Sequence, residues 1–262
     1  MKRTLLITWL AALACAWAGQ AMAATAKQVL LVTTTVGYRH SSIELAERVV
    51  AALGKSSGAY EVELASVSPS GLSEAAYSER VRAVLHDKLS PESLKRYHGI
   101  VFANTVGELP LPERDALVQW VRDGGAFVGV HSASDTLHGH RPYVDMLGGE
   151  FHHHREQVLI EGIIRDAAHP ATSHLPATWN LDGKKEEIYL FQNYQRASVH
   201  ELITLDRHPN TGEPGHYPIA WCREFGKGRV FYTALGHNEV VWEMPAFQQH
   251  LLGGMQWALR LR

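Results

Sequence analysis

The sequence predicts an α/β fold: a three-layer α/β/α sandwich around a mostly parallel sheet, with an antiparallel extension. Three observations predict it. Through the first half, short apolar runs alternate with stretches whose apolar residues recur at helical spacing. The second half keeps the strand-like runs but loses the long helices between them. No tract rich in Pro, Gly or Ser divides the chain, so residues 24–262 read as one domain.

The elements follow in order. Residues 28–35 (QVLLVTTT) form a buried strand, and residues 41–53 a helix with Ile43, Leu45, Ala46, Val49, Val50 and Leu53 on its apolar side. Residues 60–67 alternate as a second strand, and a short helix is expected over residues 75–84. Residues 99–104 (GIVFAN) make another buried strand. Pro112 opens a helix that runs to Arg122, and Gly124-Gly125 ends it before the strand 126–130 (AFVGV). Strands are then expected over residues 157–164, 187–191, 201–206, 219–223 and 229–235, with a hairpin turn at 224–228. A helix over residues 245–259 closes the domain.

The first 23 residues read as a signal peptide. Lys2 and Arg3 precede a short apolar core, and Ala21-Met22-Ala23 is a small-x-small cleavage signal. The apolar stretch is shorter than the 20 or so residues that a membrane span needs. Periplasmic or secreted localisation is therefore expected, with no membrane attachment after cleavage. Lipidation at Cys15 is the weaker alternative. Cleavage takes the formal charge from −2 to about −4, the wrong sign for a nucleic-acid partner. Only Cys222 stays, so no internal disulfide is available. Histidine is abundant at 16 residues.

In open α/β sheets the ligand crevice lies beyond the carboxyl ends of the parallel strands. His40, His131 and His237 each follow a strand and so converge on that edge. His131 occupies the exposed position of a Gly-x-X-x-small turn, the layout of a nucleophile elbow. Ser132 comes one position too late to serve there, and Cys222 lies mid-strand, so serine or cysteine acyl transfer lacks its nucleophile. In His152-His153-His154, a strand would put His152 and His154 on one face. Glu187 is a further candidate carboxylate, and Asp135 a candidate acceptor that orients a histidine. Imidazoles with a carboxylate suit a zinc-like divalent ion, with His40, His131, His237 and His154 as its ligands. His131, His237, Glu187 and Glu239 are the catalytic candidates, Glu239 supporting His237 as a base. No glycine fingerprint for phosphate is present, so no nucleotide cofactor is expected.

The combination resembles the ThuA-like (trehalose utilisation) family, whose flavodoxin-like fold is related to class I glutamine amidotransferases. The resemblance rests on Gly37-Tyr38-Arg39-His40-Ser41, Trp120 through Ala133, Leu147-Gly148-Gly149-Glu150-Phe151, His169-Pro170-Ala171-Thr172, Glu187-Ile188-Tyr189, Pro218-Ile219-Ala220-Trp221, Gly226 through His237 and Leu251-Leu252-Gly253-Gly254. Amidotransferases carry a cysteine at the elbow and a late His-x-Glu. This chain has His237-Asn238-Glu239 but His131 in place of the thiol, so glutaminase chemistry is not expected. The resemblance implies carbohydrate metabolism, with 3-keto-glycosides or disaccharides as substrates.

Two functions follow as expectations. One is an enzyme that cleaves an oxidised sugar by elimination or hydrolysis at a histidine-rich, metal-bearing site, with a small sugar as its partner. The alternative is a non-catalytic periplasmic carbohydrate-binding module, in which an aromatic such as Trp120, Trp179, Trp221 or Trp257 would stack on the sugar.

Overall fold

A computed structural model describes residues 26–262; residues 1–23, read above as a signal peptide, and with them Cys15, lie outside the described residues. The first half consists of β1 (Lys27–Val32), α1 (Ile43–Ser57), β2 (Tyr60–Ala65), α2 (Glu74–Leu89), α3 (Pro91–Leu94), β3 (Gly99–Ala103), α4 (Arg114–Arg122), β4 (Ala126–Val130), a 3-10 turn (His131–Asp135) and α5 (Arg141–Leu147). The second half adds β5 (Glu150–His153), β6 (Gly162–Ile164), β7 (Thr178–Trp179), β8 (Leu190–Gln192), β9 (His200–Arg207), β10 (Pro214–Phe225), β11 (Gly228–Thr233), α6 (Glu239–Glu243) and α7 (Pro245–Ala258).

Among the described residues, nine strands form one sheet in the order β2-β1-β3-β4-β11-β10-β9-β6-β7. The pairings from β2 to β11 are parallel, and those from β11 to β7 antiparallel. This is the expected parallel sheet with its antiparallel extension. Alternation along the buried strands sends side chains to opposite faces. Val29, Leu31, Val101, Val128 and Val130 pack with Ala46 and Val50 of α1 and Leu251 and Met255 of α7. Leu30, Val32, Ile100, Phe102 and Phe127 pack on the other face with Val81 and Leu85 of α2 and Leu117 and Val121 of α4. Helices on both faces complete the three layers.

Local sequence explains the helix ends. Gly58 closes α1 in the left-handed region at φ 65°. Ser73 caps α2 by accepting from the Ala76 amide, and α2 runs five residues past the 75–84 expectation. The helix expected from Pro112 starts at Arg114.

Two expected strands shrink to three residues each. In 157–164 only Gly162–Ile164 joins the sheet, while Val158 makes a lone antiparallel bridge to Glu186, 3.0 and 2.9 Å between backbone atoms. In 187–191 pairing starts at Leu190, against β5 in a separate two-stranded sheet. Pairing of His200–Arg207 and Pro214–Phe225 extends the two strands expected over 201–206 and 219–223.

Candidate functional site

The order of the sheet reverses at β1, since β2 lies on one side and β3 on the other. Loops leaving the strands on either side of such a point diverge and open a crevice. The loop after β1 carries His40, the turn after β4 carries His131, and the loop after β11 carries His237. Hydrogen bonds tie these loops together beneath the crevice. Ser42 Oγ donates to the His237 carbonyl at 2.8 Å, and Asn104 Nδ2 donates to Ser42 Oγ and to the Gly236 carbonyl, each at 3.0 Å. Gly236 sits at φ 112°, a conformation that favours glycine, and turns the chain from β11 toward His237.

The elbow at His131 forms as the spacing predicts. His131 has φ 51°, a strained value for a residue with a side chain. Gly129 makes room for the turn, because a Cβ there would lie 2.9 Å from Tyr232 Cδ2 and 3.1 Å from Leu147 Cδ1. The fully buried His131 meets the Ala234 carbonyl through Nδ1 at 2.8 Å. A carbonyl only accepts, so Nδ1 carries the proton and Nε2 turns its lone pair to the crevice.

The three histidines form one cluster, with His40 and His237 in the pocket lining and His131 fully buried against them. Ring centroids lie 4.8 Å apart for His40 and His131, 5.2 Å for His40 and His237, and 5.2 Å for His131 and His237. Glu187 completes the group: its Oε1 is 3.4 Å from His237 Nδ1 and 3.7 Å from His131 Nε2. One ligand atom from each of the four residues falls within 4.8 Å of the other three. Burial, with the charge of His237, lowers the pKa of His40 to about 4, and burial holds that of His131 well below its ordinary value. Both imidazoles are neutral at pH 7, the form that binds metal. Burial pulls His237 down, but its hydrogen bond to Glu187 and that group's charge outweigh it and raise the pKa. Buried lone pairs and a carboxylate converging at this range fit a zinc-like divalent ion, and nothing here points to a nucleotide cofactor.

The pocket encloses about 340 Å³ between Tyr38, His40, Val106, Asp135, Phe151, His154, Glu187, Tyr189 and His237. His154 Nδ1 lies 3.2 Å from Glu187 Oε2, outside the group of four but in the lining. Other candidates fall elsewhere. Glu239 is exposed in the first turn of α6, where it engages Ser41, and Glu187 takes the place beside His237 expected of it. His152 and His154 do not form the expected shared strand face. β5 ends at His153, its register shifts between Phe151 and His153, and His152 meets the exposed His153 instead. Trp179 and Trp221 are buried in the core, and no tryptophan is among the described residues that line the pocket. Ser132 is buried and outside the lining. Cys222 Sγ is buried 3.7 Å from His169 Nε2, and burial pushes its thiol up to about 12.

Sequence reasoning missed Glu186 and Tyr189. Glu186 is fully buried, and its Oε1 accepts from the amides of Glu187 and His237 at 3.0 Å each, fixing the backbone under both. Burial raises its pKa to about 7. The Tyr189 hydroxyl lies 3.0 Å from His131 Nε2, on the lone pair from which a bound ion would displace it. The adjacent Glu186-Glu187 pair was the available signal, since two neighbouring acids beside an apolar run have opposite fates when one is buried.

Solved structures share this arrangement of elements. A ThuA-like protein from Bacteroides uniformis ATCC 8492 is 23% identical with a TM-score of 0.70, covering 91% of this chain and 94% of its own. A ThuA-like protein from Parabacteroides merdae ATCC 43184 is 18% identical with a TM-score of 0.69, covering 90% and 91%. A β-galactosidase from Rahnella sp. R3 is 13% identical with a TM-score of 0.52, and the match covers 90% of this chain but 32% of that one. At these identities the likeness is one of fold. No curated protein matches by sequence. The family model described as trehalose utilisation matches residues 28–258, almost all of the domain just described, and the chain belongs to that family, ThuA.

Proposed function

We propose that the chain is an exported enzyme that cleaves 3-keto-glycosides, disaccharides included, at a site where His40, His131, His237 and Glu187 hold a zinc-like divalent ion. One observation carries the reading: four side chains from the beginning, middle and end of the chain bring ligand atoms within 4.8 Å of one another, and three of them line one pocket. The family description and a β-galactosidase among the fold neighbours support a carbohydrate substrate, and residues 1–23 support export.

A bound divalent ion supplies Lewis acidity toward a keto oxygen. A keto group at C3 acidifies the C2–H, and His154, in the pocket lining, serves as the base that accepts that proton. Its Nδ1 faces two acceptors, the Arg155 carbonyl at 3.0 Å and Glu187 Oε2 at 3.2 Å, so Nδ1 is protonated and Nε2 holds the lone pair. As C2–H breaks, its electron pair forms the C1–C2 double bond and the glycosidic C1–O bond breaks. The proton on His154 goes to the departing oxygen. Water then adds across C1 and C2, hydroxyl to C1 and hydrogen to C2, and hydrolysis is complete.

Incubation of purified protein with a 3-keto-disaccharide tests the reading. Release of the free sugars is expected, and chelator or His131→Ala is expected to abolish it. Sugar binding without turnover in any form would replace the enzyme with a carbohydrate-binding module.

A further inference from the structure

The pocket holds a second carboxylate outside the group of four. Asp135 ends the 3-10 turn that begins at His131 and lines the cavity. Its Oδ1 accepts from His138 Nε2 at 2.7 Å, while the other nitrogen of His138 donates to Glu150 Oε2 at 2.9 Å. Asn193 Nδ2 donates to Glu150 Oε1 and anchors the far end. An imidazole between two acceptors keeps both protons. The hydrogen bond to Asp135, with Glu150 behind it, outweighs partial burial and raises the His138 pKa to about 9. Asp135 is thus braced by an imidazolium on one oxygen. No hydrogen bond among the described residues engages the other, Oδ2.

The rest of the lining determines what that oxygen can meet. It contains no lysine or arginine among the described residues. Arg39, next to His40 in sequence, turns its guanidinium away to Glu44 at 2.7 Å and the Val67 carbonyl at 3.4 Å. A divalent ion in the pocket would be offset by Glu187 and Asp135, leaving no positive charge for an anionic substituent. Tyr38, Phe151 and Tyr189 supply aromatic surface suited to the C–H face of a sugar ring.

We propose that Asp135, braced by His138 and Glu150, reads the hydroxyls of an uncharged sugar through its free oxygen and makes the pocket reject sugars bearing phosphate or carboxylate. The inference rests on the proposed glycoside-cleaving function and narrows its substrate class. The free carboxylate oxygen accepts charge-assisted hydrogen bonds from sugar hydroxyls, and the same charge repels another anion.

Calorimetric titration tests it on the zinc-loaded protein, with a neutral 3-keto-disaccharide analogue whose glycosidic oxygen is replaced by carbon, so that it cannot be cleaved, and its 6-phosphate as probes. The wild type is expected to bind the neutral sugar at least about 10-fold more tightly than the phosphate. Asp135→Asn is expected to weaken the neutral sugar about 10- to 100-fold and to shrink that preference, with zinc uptake unchanged. His138→Gln, which removes the cation but leaves Asp135, is expected to weaken the neutral sugar several-fold, and it carries the test if Asp135→Asn does not fold. Neutral-sugar binding unchanged in the folded variants, or equal wild-type affinity for both probes, overturns the role of Asp135 and leaves the glycoside reading standing. A wild type that binds neither sugar overturns both.

Discussion

The imidazole of His131 donates from Nδ1 to the Ala234 carbonyl at 2.8 Å, and this bond decides where its other nitrogen points. The carbonyl belongs to the segment just after β11, so the loop that delivers His237 also orients His131. Replacing His131 with alanine removes one proposed ligand from the group of four. Metal affinity is expected to fall by at least about 100-fold, measured by competition with a chromogenic chelator.

Glu186 holds the backbone beneath two proposed ligands without lining the pocket. Glu186→Ala leaves two amides without their acceptor, a loss of about 1–3 kcal/mol for each in a buried setting. Metal affinity is expected to drop about 10- to 100-fold, as for other groups that position ligands. Glu186→Gln keeps an acceptor oxygen and is expected to restore most of the affinity. Side-by-side metal titration of the two variants checks this.

Gly129 gives the elbow its close packing. Alanine there would press on Tyr232 and Leu147 in a filled core, at a cost of about 1–3 kcal/mol. The melting temperature is expected to fall by several degrees, about 2–4 °C for each kcal/mol in a domain of this size.

Acid stability follows from a histidine outside the pocket. His250 in α7 is fully buried, with Nδ1 donating to the Ala171 carbonyl at 2.8 Å, and burial lowers its pKa to about 4. The unfolded chain titrates this group near 6.5, so between 6.5 and 4 the unfolded state binds the proton that the folded state refuses. Its contribution is therefore complete above 6.5 and lost as pH falls to 4, about 2 kcal/mol of it by pH 5. Urea denaturation at pH 7 and pH 5 is expected to show this decline, with a shallower slope in His250→Asn.

Much of this was legible in the sequence, for physical reasons that differ by element. The parallel strands announce themselves as continuous apolar runs because both of their faces are covered. Once the strands are found, the crevice rule brings His40, His131 and His237 together from distant stretches of chain. The segment 157–164 misled because Ile160 packs into the core from a loop, Leu159 is exposed, and Val158 is bridged to Glu186 outside the sheet. The register shift in β5 depends on its pairing with β8, a strand far along the chain, and short-range alternation carries no trace of it. The Glu186 amide clamp and the Asp135–His138–Glu150 chain are likewise products of tertiary contact.

Zinc titration into chelator-stripped protein tests the central claim most directly. The account expects one site per chain in the wild type, lost or greatly weakened when His40, His131, His237 or Glu187 is replaced by alanine, and retained in Glu239→Ala. Saturable binding that survives all four substitutions, or no zinc binding by the wild type, would contradict it.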